Sequence, residues 1–353
     1  MRNAFLTVRN SWRQLRDNPE LAQLPRWRQL AEMLALYFGR RIGPGYYMQA
    51  RWWRPTVPFA DKWQHMNRYE YRTFIDRYNG PAYQKASQHK LLEKAVLSLL
   101  KIPTAPMIGF VHPVRGRSVE GAPLCSASDL ARELAAYVGS RICCKQVEGW
   151  GGQGFAAFDV IREDDQLMLV SPASKALLTL EQWWQQFARA PDGVILEQHL
   201  TQHPVLAALN GSSLNTLRIW VYEKAGQFVV PGAYLRVGRA GSQVDNISGG
   251  GLCCGVDVSR GITSYAMTGD DCTALTVHPD SGAGLIGIAI PYWPACVKLA
   301  GVALAAFPHI RVAGLDMAVT VDGPCIIELN VCADYLGCAW MDLPLRNIDK
   351  AMR

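Results

Sequence analysis

No run of about 18 apolar residues, the length a helix needs to cross a bilayer, occurs in this 353-residue chain. The nearest candidate, "PACVKLAGVALAAFP", is shorter, contains Lys298 and ends in proline, so it reads as an ordinary packed helix. A secretory leader is also missing, because "MRNAFLTVRNSWRQLRD" is broken by arginine every few residues and has no continuous apolar core. No CxxC has a matching second pair, which argues against structural zinc. The ten cysteines are scattered, with Cys143-Cys144 and Cys253-Cys254 adjacent, and are expected to be reduced, mostly buried thiols of a cytoplasmic protein. Charged residues are only 19% against 49% hydrophobic, which excludes a disordered chain. Internal repeats and low-complexity tracts are absent.

What charge there is lies unevenly. Residues 1–80 hold fourteen Lys and Arg against six Asp and Glu, a net +8, and five of the eleven tryptophans. Arginine interleaved with tryptophan, as in "RWWRP", could face phosphates or an anionic membrane surface, so peripheral membrane contact is open for this region. The plainer alternative is a solvated arginine face on helices whose tryptophans pack inward. No nucleic-acid-binding motif accompanies the charge, and nucleic acid is not an expected partner.

Apolar spacings of three and four predict helices through residues 1–80 and again over 84–103, the latter stopped before Pro103. "SASDLARELAAYVG" reads as a capped helix, and "SRICCKQV" and "FAAFDVIRE" as strands around a glycine-rich turn. "NTLRIWVYE" and "QFVVPGAYLRVG" look like an antiparallel pair. Hairpins mixed with helices, without strict βαβ alternation, predict an α+β fold. The expected divisions are residues 1–83, helical and basic; 84–196, a first lobe; and 197–353, a second lobe.

The residues that carry chemistry begin with "GLDMAVTVDGPCIIELN", residues 314–330. A hairpin turning at Asp322-Gly323 brings Asp316 and Glu328 to the same end, with Asn330 on the same strand face as Glu328. Two carboxylates and an amide oxygen form a hard donor set suited to Mg²⁺. Carboxylates tied to arginines at a strand end are the competing account. In "KQVEGWGGQGF", Lys145 ends a strand and is followed by Gly149, Gly151, Gly152 and Gly154, which free the backbone to approach an anion. It is not a Walker A loop, because the lysine precedes the glycines. Arg218 sits in the apolar strand "NTLRIWV", Asn246 and Ser248 precede glycines in "VDNISGGG", and Glu197 leaves a buried strand in "ILEQHL".

Lysine, glycine hairpin, strand-end glutamate, strand arginine, then Asp and Glu-x-Asn: in this order the chain resembles the ATP-grasp superfamily from residue 84 onward. "HPVLAALNGSSLNTLRIWVY", "VDNISGGG", "VHPDSG" and the final hairpin look like its sugar-transfer-associated family. The resemblance implies two α+β lobes clasping ATP, with Mg²⁺ or Mn²⁺ as the cation. It implies that Lys90 and Lys145 bind nucleotide, and that Gly151, Gly152 and Gly154 form the lid. Glu197, Gln198, His199 and Leu200 match the hinge against adenine, and Asn246 and Ser248 belong to the nucleotide site. Arg218 matches the arginine that acts with Lys145 on the γ-phosphate, and Asp316, Glu328 and Asn330 match the metal ligands. "TQHPVLAA" departs from the pattern in offering no acid for the ribose.

The implied activity is ligation of a small-molecule carboxylate to an amine through an acyl phosphate. A kinase stays open beside it, since both use the same ATP half-site. On this reading, alanine at Asp316 or Glu328 abolishes turnover and spares the fold. His278, Asp280, Tyr292 and Trp293 are candidates to line an acceptor pocket, with a surface turn and helix packing as the alternative.

Overall fold

The structure, a computed structural model, describes residues 8–10, 12–13, 16–17, 23–149, 154–269 and 272–353. Before the first strand come helices α1 (Arg26–Arg40), α2 (Pro44–Gln49), α3 (Phe59–Trp63), α4 (Arg68–Tyr78), α5 (Pro81–Gln88) and α6 (Lys90–Leu99). The first sheet contains β1 (Met107–Val111), β2 (Arg117–Ser118), β3 (Arg141–Gln146), β4 (Ala156–Glu163), β5 (Gln166–Val170), β6 (Leu177–Thr179) and β7 (Val194–Gln198). Its spatial order is β2-β1-β7-β3-β4-β5-β6, with α7 (Ala127–Leu134) and α8 (Leu180–Phe187) packed on its core.

After the short α9 (Pro204–Ala207), a second sheet forms from β8 (Leu217–Lys224), β9 (Gln227–Val237), β10 (Leu252–Asp257), β11 (Ile262–Thr268), β12 (Ala274–Leu275), β13 (Val312–Thr320) and β14 (Gly323–Asn330). Its order is β12-β11-β10-β9-β8-β13-β14. The helix α10 (Trp293–Ala305) covers one face, and α11 (Tyr335–Trp340) and α12 (Leu345–Met352) follow the last strand. Every strand pair in both sheets is antiparallel, and helices cover their faces, so the α+β expectation holds.

The helix expected over 84–103 is two helices. His89 has extended backbone (φ −93°, ψ 101°), and its ring nitrogen accepts the Leu92 N–H, capping α6. A residue that caps the second helix cannot continue the first. The strand that the 196/197 division splits pairs wholly within the first sheet, Glu197 lying opposite Cys143 and Met107.

The second sheet has two unlike faces. Leu217, Ile219, Leu235, Leu315 and Met317 enter the largest apolar cluster with Cys296, Leu299 and Ala303 of α10. Strand alternation sends Arg218, Tyr234 and Asp316 to the opposite side. The amino-terminal helices pack there too: Tyr71, Phe74 and Tyr78 of α4 cluster with Trp220 and Tyr222 of β8. Asn79 fastens this packing. Fully buried, it donates to the Val312 and Val331 carbonyls and accepts the N–H groups of Arg311 and Val312. All ten cysteines are unpaired, as expected.

Candidate active site

The site lies where β7 and β3 of the first sheet face the ends of β8, β9, β13 and β14 of the second. Glu197, 1% exposed, is its innermost charge. One carboxylate oxygen lies 2.7 Å from Lys94 Nζ and the other 2.6 Å from Lys145 Nζ. Burial by itself would raise the Glu197 carboxyl, but the two ammonium groups outweigh it and hold the acid down at about 2. Burial likewise opposes the charge on Lys145, and Glu197 overcomes that too, leaving Lys145 above its ordinary value. The result is a fixed buried cation beside a cleft.

Lys90 stands one helical turn before Lys94 on α6. Its Nζ donates to the Gly149 carbonyl at 2.9 Å and lies 3.5 Å from Glu328 Oε1. The base of the glycine-rich segment is thereby tied to α6, and Lys85 of α5 adds an ion pair with Glu148 at 2.5 Å. Gly154 has φ +72°, a left-handed backbone that favours glycine; a Cβ there would also sit 2.5 Å from the side chain of Gln146, which is exposed and would have to move aside. Gly151 and Gly152 lie outside the described residues.

On the second sheet, cross-strand register sets Glu328 opposite Asp316 and Asp316 opposite Arg218. The predicted juxtaposition of Asp316 and Glu328 is therefore present. Their surroundings differ. Asp316 is buried, with Arg218 Nε 2.5 Å from Oδ1 and Arg236 Nη2 3.0 Å from Oδ2. Burial raises its carboxyl, yet both arginines bring it below the ordinary carboxylate range. Glu328 is partly exposed to the cleft and has Lys90 as its ionic partner. Asn330, opposite Gly314, has a buried amide nitrogen with no hydrogen-bond partner.

The main cleft is lined by Lys90, Lys145, Glu197, Gln198, His199, Leu200, Arg236, Asn246, Asp316 and Glu328, which brings together most of the expected site. Asn330 opens instead on an adjoining cleft, shared with Glu328, Gly149 and Cys332. Arg218 sits behind Asp316 and lines neither, and Ser248 is exposed, outside the lining. Asp280 is held by Arg239 and the Ala240 N–H, His278 is buried against the Gly238 carbonyl, and Trp293 packs in the core with its N–H on the Val258 carbonyl. The turn-and-packing alternative thus describes these residues. Tyr292 is half exposed and donates its hydroxyl to the Val321 carbonyl.

Two residues passed over in the sequence belong to the site. Lys94 could have been found from its place four residues after Lys90, on the same helix face. Arg236, in "AYLRVG", carries the same signal as Arg218, an arginine inside an apolar strand. Thr216 and Asp245 hold it: Asp245 Oδ2 accepts the Thr216 N–H at 2.8 Å, and the Thr216 hydroxyl oxygen accepts from Arg236 Nη2 at 2.6 Å.

Among the described residues no three His, Cys, Asp or Glu side chains gather in a metal-binding group. The Glu328 carboxylate, open to the cleft with Asp316 behind it, nevertheless suits a hard cation that keeps most of its shell for water and phosphate; the unpartnered atom of Asn330 is its amide nitrogen, a donor, so only the amide oxygen could join it. Lys90, Lys145 and Arg236 supply the positive walls that a polyphosphate needs.

Among solved structures, that of the D-cycloserine synthetase DcsG aligns over 87% of this chain and 93% of its own, with 13% identity and a TM-score of 0.42. An L-amino acid ligase from Bacillus licheniformis aligns over 84% and 50%, with 12% identity and a TM-score of 0.40. An ADP complex of purK, N5-carboxyaminoimidazole ribonucleotide synthetase, aligns over 72% and 47%, with 13% identity and a TM-score of 0.41. The chain thus spans about half the length of the last two proteins. No curated protein matches the chain. The sugar-transfer associated ATP-grasp family matches residues 69–341, more than half of the chain, and the chain belongs to that family.

Proposed function

We propose that the chain is an ATP- and Mg²⁺-dependent ligase that joins a carboxylate, of an amino acid or sugar acid, to an amine. The setting would be cytoplasmic polysaccharide, glycoconjugate or specialised-metabolite biosynthesis. The observation that carries the reading is the facing of Lys90 and Lys145 by Glu328 and Arg236 across one cleft. That is a cationic cradle for phosphates, with a carboxylate free enough to share a divalent ion.

In this reading Lys145 and Lys90 bind the nucleotide phosphates, and Glu197 holds Lys145 charged and aimed. Gln198 to Leu200 receive the adenine where the chain leaves β7. Glu328, with the Asn330 amide oxygen beyond it, would hold Mg²⁺, and the ion would supply charge neutralisation on phosphate oxygens; Asp316, taken up by its two arginines, stands behind. Asp316 also holds Arg236, which lines the cleft, toward the transferring phosphoryl group, with Arg218 behind it as a second cation on the same carboxylate. A substrate carboxylate oxygen forms a bond to the γ-phosphorus as the bond to the ADP oxygen breaks. The amine then attacks the acyl carbon, loses a proton and displaces phosphate. The glycine-rich segment that follows Lys145 is read as the lid, and shielding the acyl phosphate from water is its task.

The test is ADP release with Mg·ATP and pooled amino acids, amino sugars and sugar acids, followed by mass spectrometry. ADP with free phosphate and a condensed product supports the ligase. ADP with a product heavier by one phosphoryl group makes the chain a kinase instead.

A further inference from the structure

Helix α1 is packed inside out. Its inward face carries Gln29 and Glu32 beside Met33 and Leu36, while Trp27, Leu30, Leu34, Tyr37 and Phe38 are 46% to 79% exposed. At 3.6 residues per turn these five fall on one side of the helix, within an arc of about 100°. The inversion is built in. Glu32, the helix's one acid, is turned inward to accept from Lys62 Nζ at 2.6 Å and from the Tyr47 hydroxyl at 2.9 Å, and Gln29 donates to the Leu24 carbonyl at 2.7 Å. The apolar side cannot rotate inward without stripping Lys62 of its counter-charge, so the aromatic stripe is what this helix presents.

A stripe of that size on a soluble surface marks a contact site. Its rim decides the partner. Arg26 and Arg41 are exposed beside it, Arg28 is half exposed although it reaches Glu32 at 3.3 Å, Arg40 is taken up by Glu70 and the His65 carbonyl, and no exposed residue of α1 is acidic. A second copy docked through the same face would set arginine against arginine. Tryptophan, tyrosine, phenylalanine and leucine edged by arginine fit the headgroup level of a bilayer carrying negative lipids.

We propose that α1 lies on an anionic phospholipid surface, with Trp27, Leu34 and Phe38 entering the interface and the arginines meeting headgroup phosphates. No described helix is long and apolar enough to cross a membrane, so the contact is peripheral. The bilayer contact does not involve the cleft residues and stands apart from the proposed ligase activity.

Flotation of the full chain with phosphatidylglycerol vesicles, and with phosphatidylcholine vesicles, tests it. The expected result is flotation with phosphatidylglycerol alone, weakening as salt rises. A Trp27→Ser/Leu34→Ser/Phe38→Ser variant, altered only at exposed positions, should bind about tenfold or more weakly while keeping its circular dichroism and ATP turnover. Absence of flotation in a chain that is a dimer, dissociated by the same triple variant, would overturn the proposal in favour of a second copy. A non-floating monomer, or flotation unchanged in the triple variant, overturns it as well.

Discussion

Arg218 and Arg236 converge on one carboxylate, Asp316, which stands 2.5 Å from the first and 3.0 Å from the second. All three are buried, so the acid is the paired counter-charge of Arg218 and shares Arg236 with Asp245. The outcome read from sequence, loss of turnover with the fold spared, is therefore revised for this residue. Asp316→Asn should destabilise the chain by about 3–5 kcal/mol, because it leaves buried Arg218 without its paired carboxylate and Arg236 with Asp245 alone. Urea unfolding checks this; an unshifted midpoint would remove Asp316 from its structural role.

Glu328 should separate activity from stability. Its side chain is partly exposed and its ionic partner Lys90 lies 3.5 Å away, a weak contact. Glu328→Ala is expected to change unfolding by less than about 1 kcal/mol and to lower kcat by about a hundredfold or more. Parallel unfolding and ADP-release measurements decide; normal turnover would sink the metal assignment.

Glu197 makes a pH-dependent contribution. Its acid is depressed from 4.5 to about 2, so the stability it confers is fully present above 4.5 and disappears as pH falls toward 2. The gap in unfolding midpoint between the native chain and Glu197→Gln should be wide at neutral pH and close through that window. A gap that stays constant with pH contradicts the ion-pair account.

Gly255 offers a test of packing away from the cleft. A Cβ there would fall 1.8 Å from Tyr265, whose ring lies under Arg51 and whose hydroxyl bonds the Trp340 carbonyl. With the ring pinned on both sides, Gly255→Ala should cost about 1–3 kcal/mol. Tyr265→Ala removes the obstacle, so the double variant should fall short of the sum of the two single losses. Strict additivity in thermal unfolding would argue against the contact.

Strand signals carried far in this chain. Alternation and the hairpin turn put Asp316 and Glu328 at the same end, but their direct opposition needed the structure: the register that starts with Thr320 opposite Gly323 leads Asp316 to Ile327, and an irregularity between Asp316 and Met317 moves it to Glu328. Which arginines meet Asp316 could be read only in part. Arg218 arrives from 98 residues away on a neighbouring strand, and Arg236 reaches past it from the next one. His89 hid a helix break because its capping role uses a side chain that periodicity ignores. Lys94 carries no local signal beyond its spacing from Lys90, and its partner Glu197 comes from β7, about a hundred residues on. Helix α1 shows the limit most plainly: its apolar spacing predicted a helix, but Lys62, on a different helix, determines which side is buried.

Helix α6 and the loop that leads from it into β1 are sewn to β14 of the second sheet. Ile326 N–H donates to the Pro103 carbonyl at 2.8 Å, its own carbonyl accepts the Thr104 hydroxyl at 2.9 Å, and Leu329 N–H donates to Glu93 at 3.1 Å. Glu328 lies between these stitches, and Lys90 and Lys94 ride on α6, the helix that supplies one of them. Parting the seam would expose buried donors and acceptors at about 1–3 kcal/mol each. The placing of these lysines relative to the Glu328 carboxylate is thus set by main-chain hydrogen bonds of β14, and this end of the cleft is preset by the fold.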